Sequence, residues 1–141
     1  MVINSKLVLN IRVKCENLYK VGKVESGELR VIPIIGGEFK GDNIEGEVLS
    51  GGFDFNTKID DDVAHVLARY ILKTNDNCYI TVKNEGYISD SNYNKKIKTV
   101  IKFKTDKNSK YKWLTEEIFV GALEVIEGKE IIVEIKVYQL D

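Results

Sequence analysis

Three side chains stand out as groups that could move a proton or stabilise a developing charge. His65 is the only histidine of the chain, and an ordinary histidine pKa of about 6.5 suits a general base at neutral pH. Asp54 is the second candidate base, and Arg69 could stabilise the oxyanion that forms when a carbon next to a carbonyl loses a proton. These residue types allow an enzyme without a cofactor that performs proton transfer or hydration next to a carbonyl group.

Arg69 also supports a binding role, because it lies in an apolar stretch beside Leu67 and Tyr70. A buried guanidinium needs a carboxylate or a ligand as its partner. In one interpretation Arg69 holds the carboxylate or enolate of a ligand, with Asp54 or Glu38 setting its orientation. In the other, Arg69 and Asp54 form a structural ion pair. Both remain open, since strand register decides whether the two residues meet.

The sequence offers little to a metal ion or a nucleotide. His65 has no second histidine to complete a metal site, and the spacing of the two cysteines does not resemble a zinc knuckle. Gly41 and Gly46 have the gap of a Walker loop, but Glu47 stands where the phosphate-binding lysine is required. We therefore expect no metal and no cofactor.

The composition indicates one globular domain over residues 1–141. With 43% hydrophobic and 30% charged residues, the chain can bury a core without metals or disulfides. The net charge of −1 disfavours nucleic acid and anionic membranes as partners, and the apolar runs are too short to span a bilayer. Cys15 and Cys78 are expected to be free thiols, and no signal peptide is recognisable, so we expect a cytoplasmic protein.

Alternating hydrophobicity predicts the strands that would position these side chains. The clearest strand covers residues 96–104, and its buried face is formed by Ile97, Thr99, Ile101 and Phe103. In residues 6–14 the buried face is predicted to contain Leu7, Leu9, Ile11 and Val13. Further strands are predicted at residues 29–35, 43–50, 78–83 and 130–139.

Two segments allow a helix as well as a strand. Residues 60–71 begin with three aspartates and continue with apolar residues at helical spacing, which predicts an amphipathic helix. Residues 115–125 pose the same question, because Glu116 and Glu117 could start a helix whereas Ile118, Phe119 and Val120 favour a strand.

The segment from Gly27 to Tyr87 resembles the uncharacterised protein family 0311, also catalogued as domain of unknown function 3237. The matching motifs are GELRVIPIIGGEFKG at 27–41, GEVLSGGFDF at 46–55, ARY at 68–70, TND at 74–76 and NEG at 84–86. YKWL at 111–114, FVG at 119–121 and the closing VY at 137–138 are similar to the last third of the family. The resemblance covers nearly the whole chain.

This resemblance implies an all-β fold: a single antiparallel β-barrel, closed or nearly closed, with few or no long helices. In that fold residues 64–73 form a strand, and we adopt this prediction over the helix. Aromatic side chains such as Tyr70 and Trp113 would then either fill the barrel or line a ligand cavity. The family has no general assigned activity, so the resemblance implies no reaction.

Three functions remain. The leading hypothesis is a cytoplasmic barrel that binds a small organic ligand, anionic ligands included, through Arg69, Asp54, Glu38, Tyr70 and Trp113. The second is the cofactor-independent enzyme with His65 or Asp54 as its base. The third is a structural module that forms a homo-oligomer and has no ligand site.

Overall fold

The computed structural model describes residues 1–89 and 97–141. These residues form ten β-strands and one short helix, α1 (Trp113–Glu116). The strands are β1 (Ser5–Cys15), β2 (Tyr19–Val24), β3 (Gly27–Gly41), β4 (Ile44–Val48), β5 (Gly52–Lys58), β6 (Val63–Thr74), β7 (Tyr79–Ser89), β8 (Ile97–Lys104), β9 (Ile118–Ile126) and β10 (Ile131–Leu140).

The strands close into an eight-stranded antiparallel barrel. β1 pairs with β10 on one side and with β3 on the other, and the second pairing closes the sheet. β4 and β5 follow one another between β3 and β6, so together they occupy one position in the barrel. β1 and β2 likewise pair with successive parts of β3, so the ten strands fill eight positions. The predicted antiparallel barrel without long helices is confirmed.

The 15-residue strand β3 closes the barrel by pairing with four other strands. Its first part pairs with β2 and β5, and its second part pairs with β1 and β4. Gly37 stands at the seam with a φ of +138°, and a Cβ there would lie 1.9 Å from the carbonyl oxygen of Arg12. Glycine is therefore required for β1 to approach β3 at this point.

Residues 63–74 form a strand, so the helix that periodicity alone predicts is wrong and the strand implied by the family resemblance is right. β6 pairs with β7 over its whole length except its last residue, and sheet pairing on both sides outweighs local helical spacing. The carboxylate of Asp60 accepts hydrogen bonds from the backbone N–H groups of Asp62 and Val63. These bonds form a turn that leads into the strand.

The other ambiguous segment, residues 115–125, contains the end of a short helix and most of a strand. α1 ends at Glu116 and β9 begins at Ile118. The helix is therefore a single turn, and the β-branched and aromatic residues after it join the sheet as predicted.

The predicted inward faces are largely correct, with one exception in β1. Leu9, Ile11 and Val13 are buried, whereas Leu7 is 51% exposed. A register shift between Leu7 and Leu9 reverses the alternation, because one extra residue in a strand moves the following side chains to the other face.

The strand predicted at residues 96–104 is present as β8. Thr99, Ile101 and Phe103 are buried, whereas the alternating residues Lys98, Val100, Lys102 and Lys104 are exposed, as alternation requires. Lys96, predicted as its first residue, lies outside the described residues.

One end of the barrel is filled by the segment around α1. Tyr111 and Leu114 are buried in the core next to Phe103 and Phe119. The Tyr111 hydroxyl donates a 2.8 Å hydrogen bond to Asp76 in the turn between β6 and β7. Within residues 1–89 and 97–141, no helix is long and apolar enough to cross a membrane.

Candidate functional site

A small cavity of about 160 Å³ lies inside the barrel, and polar side chains of neighbouring strands line one of its walls. Asp54 of β5 is opposite Ala68 of β6, and Ala68 is opposite Asn84 of β7. Thr99 of β8, Cys15 of β1 and Asn56 of β5 complete this polar lining. Most of the remaining wall is aliphatic and includes Ile32, Val66, Leu123 and Val133.

Three polar atoms in this wall are buried without a hydrogen-bond partner among the described residues. They are Oδ1 of Asp54, Oδ1 of Asn84 and Oγ1 of Thr99. The hydroxyl of Tyr70, deeper in the core, is also buried without a hydrogen-bond partner among the described residues. Buried polar atoms nearly always have a partner, because leaving one unpaired costs about 1–3 kcal/mol. These three atoms are therefore available to form hydrogen bonds with a molecule in the cavity.

Small residues keep the cavity open next to these polar groups. Gly121 lies opposite Thr99, and a Cβ on Gly121 would come within 2.8 Å of the Thr99 hydroxyl oxygen. Ala68 separates Asp54 from Asn84 with a single methyl group. The space in front of the polar atoms thus depends on residue size as well as on residue polarity.

The Asp54 carboxyl titrates close to neutral pH. Burial raises the pKa of Asp54 to about 6, while the backbone N–H of Leu67 and the charges of His65 and Arg30 act in the opposite direction. A carboxyl group with this pKa exchanges a proton near physiological pH, as a general acid or base must.

The two other titratable groups next to Asp54 stay neutral. Burial, followed by the charge of Asp54, raises the pKa of Cys15 to about 11, so its thiol is a poor nucleophile at pH 7. Burial also raises the pKa of the Tyr70 hydroxyl above its ordinary value. Asp54 is therefore the group of this cluster that can change charge at neutral pH.

The cation that accompanies Asp54 is Arg30. The Arg30 side chain donates a hydrogen bond from Nη2 to Oδ1 of the buried Asn56, which lies opposite it in the sheet. The charge of Arg30 opposes the rise in the pKa of Asp54. Sequence reasoning missed Arg30, although its cross-strand partner Asn56 shares a strand face with Asp54.

Arg69 is on the other side of the sheet. Its register partners are Phe53 of β5 and Lys83 of β7, and its side chain is exposed. Neighbouring residues of a strand face opposite sides, so Arg69 points away from the interior that Asp54 faces. The Arg69–Asp54 ion pair, one of the two interpretations left open by the sequence, is excluded by this register.

Two further predicted ligand-binding residues do not line the cavity. Glu38 is exposed and lies 3.9 Å from Nε of Arg12, which also makes a 2.8 Å ion pair with Glu134. Trp113 packs on Phe119, with 6.0 Å between the ring centroids. Of the five predicted ligand-binding residues, the structure places Asp54 in the cavity wall and Tyr70 in the core beneath it.

The candidate base His65 faces outward. Its Nε2 lies 2.8 Å from Oε2 of Glu85, and its ring is 5.0 Å from the ring of Tyr87. The hydrogen bond with His65 lowers the pKa of Glu85. His65 and Asp54, the two candidate bases, therefore do not share a site.

Two cavity residues carried a signal that sequence reasoning did not use. Thr99 interrupts the apolar inward face predicted for residues 96–104. Asn84 continues the inward alternation of Ile80 and Val82. A polar residue in an otherwise apolar face is the pattern that would have identified both.

The sequence matches one family model over nearly its whole length and resembles several proteins of other organisms. Residues 3–140 match the family model DUF3237, described as "Protein of unknown function". A UPF0311 protein of Rhodopseudomonas palustris is 30% identical over 133 residues, which covers 85% of this chain and 87% of that protein. A UPF0311 protein of Clostridium acetobutylicum is 29% identical over 135 residues, covering 84% of each chain.

Solved structures agree with the fold. The crystal structure of the Rhodopseudomonas palustris protein of unknown function has a TM-score of 0.86 and 26% identity, and the match covers 100% of this chain and 99% of that chain. A β-barrel-like protein from Acinetobacter baumannii has the same TM-score of 0.86 at 25% identity, with 100% and 98% coverage.

Proposed function

The chain belongs to the DUF3237 family, and from that premise we propose that it binds a small neutral organic molecule inside the barrel. The observation that carries this proposal is the convergence of three unpartnered polar atoms, from Asp54, Asn84 and Thr99, on one cavity. A pocket with apolar walls and a few convergent polar groups is typical of a small-molecule site.

The polar atoms define the chemistry of the ligand. Oδ1 of Asp54 and Oδ1 of Asn84 accept hydrogen bonds, and the Thr99 hydroxyl can donate or accept. A ligand that carries hydroxyl or N–H donors satisfies them. An anionic ligand is disfavoured here, because Asp54 is itself ionised above its pKa of about 6 and like charges repel in a low-dielectric interior.

The volume limits the ligand to a single small ring or a short chain. The cavity of about 160 Å³ compares with the roughly 150 Å³ that accommodates benzene in another protein interior. A small phenol, a cyclic alcohol or a small lactam fits both the size and the required donors.

The test is calorimetric titration of the parent with phenol, cyclohexanol and a small lactam, supported by thermal unfolding. Thr99→Val removes one hydrogen-bonding group without changing the shape, and Ala68→Leu fills the cavity. Ala122→Leu is the matched control, because Ala122 lies on the outer face opposite Lys98 and Lys136. We expect Ala68→Leu to abolish binding, Thr99→Val to weaken it at least about tenfold, consistent with a lost buried hydrogen bond, and Ala122→Leu to leave it unchanged.

Either of two results would overturn the proposal. One is that none of these probes raises the melting temperature, although a ligand that binds the native state must do so. The other is equal affinity in the parent and in Ala68→Leu, which would place the ligand elsewhere.

A second function is supported by the titration of Asp54. A carboxyl group with a pKa of about 6 and an unpartnered oxygen facing a cavity can take a proton from the α-carbon of a bound ketone and return it. The test is deuterium exchange at the α-carbon of a small ketone such as cyclopentanone. We expect the parent to accelerate exchange and Asp54→Asn to lose the acceleration; equal rates in both would exclude this function.

We also propose that the protein works in the cytoplasm. Cys15 and Cys78 are free thiols, which suits a reducing compartment. Cell fractionation with an antibody tests this, and recovery outside the cytoplasmic fraction would contradict it.

A further inference from the structure

The outer surface of the barrel carries a groove that is separate from the cavity. It lies where β4 ends and β5 begins: β6 pairs with β4 at residues 72–74 and with β5 at residues 64–69. The connection at residues 49–51 passes over this break and forms one wall. The groove has a volume of about 680 Å³.

Four basic side chains line the groove. Arg69 of β6 is directly opposite Lys83 of β7, and Lys83 is directly opposite Lys102 of β8. Lys104 continues the same face of β8, and we call these four residues the basic row. No carboxylate is among the residues that line the groove.

In the basic row, residues of the same charge lie opposite one another, whereas charged residues on neighbouring strands usually pair with the opposite charge. Like charges directly opposite one another on neighbouring strands destabilise the sheet. Lys83 is compensated in part, since its Nζ lies 3.6 Å from Oε1 of Glu85. In the part of the chain that the structure describes, Arg69, Lys102 and Lys104 have no carboxylate within ion-pair distance. The net charge of −1 shows that this concentration of positive charge is local.

We propose that this groove binds a small organic polyanion whose oxyanion groups lie along the basic row. The guanidinium of Arg69 can bind one phosphate or carboxylate group through two hydrogen bonds. The lysine ammonium groups bind the others. Leu49 and Ile71, which also line the groove, contact the apolar part of the ligand.

The dimensions favour a small ligand over a polymer. Neighbouring strands are about 4.8 Å apart, so Arg69, Lys83 and Lys102 span roughly 10 Å across β6, β7 and β8. This length matches two or three linked phosphate or carboxylate groups. The groove lacks an exposed aromatic ring among its lining residues, and such a ring is what single-stranded nucleic acids stack on.

The test compares inorganic pyrophosphate and citrate with sodium chloride of equal ionic strength, by calorimetry and thermal unfolding. The variant is Arg69→Gln with Lys102→Gln. The matched control, Lys40→Gln with Lys136→Gln, removes the same charge from exposed positions of β3 and β10. We expect the polyanions to raise the melting temperature of the parent and of the control by more than sodium chloride of equal ionic strength does, and we expect at least a tenfold loss of affinity in the double variant.

A second measurement needs no ligand. Because the basic row repels itself, the double variant is expected to melt at a higher temperature than the parent in low salt, and the difference should shrink in 0.5 M sodium chloride. A polyanion shift that sodium chloride of equal ionic strength reproduces in full, or that is retained in the double variant, would overturn the proposal. Tighter binding of a single-stranded oligonucleotide than of pyrophosphate would also overturn it in favour of a nucleic-acid surface. Thr99→Val should bind pyrophosphate like the parent, which separates this groove from the interior cavity.

Discussion

Asp54 and Arg69 face opposite sides of the same pair of strands. Arg69 lies opposite Phe53, the residue directly before Asp54, and Asp54 lies opposite Ala68, the residue directly before Arg69. The sheet therefore separates an acidic group that faces the interior from a basic group that faces the solvent. The two residues belong to two different candidate sites, one for a neutral molecule and one for a polyanion.

The substitution Asp54→Asn is expected to stabilise the protein at neutral pH. Burial raises the pKa of Asp54 from 3.8 to about 6, so the folded state binds the proton more tightly than the unfolded state does. The free energy of unfolding of the parent therefore falls as the pH rises from about 4 to about 6. Asparagine does not titrate, and we expect a gain on the order of 2 kcal/mol at pH 7 that vanishes near pH 4.

Urea denaturation of both proteins at pH 4, 5, 6 and 7 measures this effect. Asp61→Asn, at an exposed position before β6, serves as the control for the removal of one acidic charge from the surface. A less stable Asp54→Asn protein at pH 7 would mean that the ionised carboxylate gains more from the backbone N–H of Leu67 and from the charges of His65 and Arg30 than burial costs it.

Thr99→Val should also stabilise the protein in the absence of ligand. The Thr99 hydroxyl is buried without a partner among the described residues, and a methyl group of similar shape removes the cost of burying it, about 1 kcal/mol. Thr81→Val is the comparison, because the Thr81 hydroxyl is exposed and makes only a 3.5 Å contact with the carbonyl oxygen of Lys104. Chemical denaturation curves give both values, and destabilisation by Thr99→Val would argue that the hydroxyl has a structural partner such as bound water.

His65→Gln is expected to leave ligand binding in the cavity unchanged. The imidazole shares a 2.8 Å hydrogen bond with Glu85 on the outer face of the sheet, opposite to the face that lines the cavity. The pKa of Glu85, which the hydrogen bond with His65 lowers, should rise toward its ordinary value in the variant. Calorimetry and an NMR titration of Glu85 measure the two effects, and loss of cavity binding would restore His65 as a site residue.

The sequence predicted the barrel and most of its inward faces, because both follow from alternation together with the family resemblance. The alternation in residues 96–104 correctly predicts that Thr99 faces the inside of the barrel. Asn84 continues the inward alternation of Ile80 and Val82, so the same local pattern could have identified it. Arg30 was missed for a different reason: its importance depends on which residue lies opposite it, and cross-strand register is not encoded in any local pattern.

The position of Arg69 outside the cavity could not be predicted for the same reason. Its apolar neighbours suggested burial, but Ile71 is itself 42% exposed and shares the outer face with Arg69. In a strand with hydrophobic residues on both faces, composition does not tell the inner face from the outer one, and a shift of one residue exchanges them. For Arg69, the pairing of β6 with β5 and β7 determines that the side chain lies on the outer face.

Asp76 should show a pH dependence opposite to that of Asp54. Its carboxylate accepts hydrogen bonds from the hydroxyls of Thr74 at 2.6 Å and Tyr111 at 2.8 Å, and these bonds lower the pKa of Asp76 from 3.8 to about 2. An acid with a lowered pKa stabilises the folded state above its unfolded pKa, and this contribution is lost as the pH falls from about 4 through about 2. Asp76→Asn is therefore expected to melt below the parent at pH 7, with the difference narrowing below pH 3.

Circular dichroism melts at pH 7, 5, 3 and 2 measure the difference, with Asp62→Asn as an exposed control. Tyr111→Phe removes one donor while keeping the buried ring, so it should reproduce part of the loss at pH 7 and also converge with the parent in acid. A difference between Asp76→Asn and the parent that stays constant down to pH 2 would contradict this prediction. It would show that the charge of the Asp76 carboxylate does not hold the segment around α1 against the turn between β6 and β7, and that the changed hydrogen-bond geometry of the amide causes the loss.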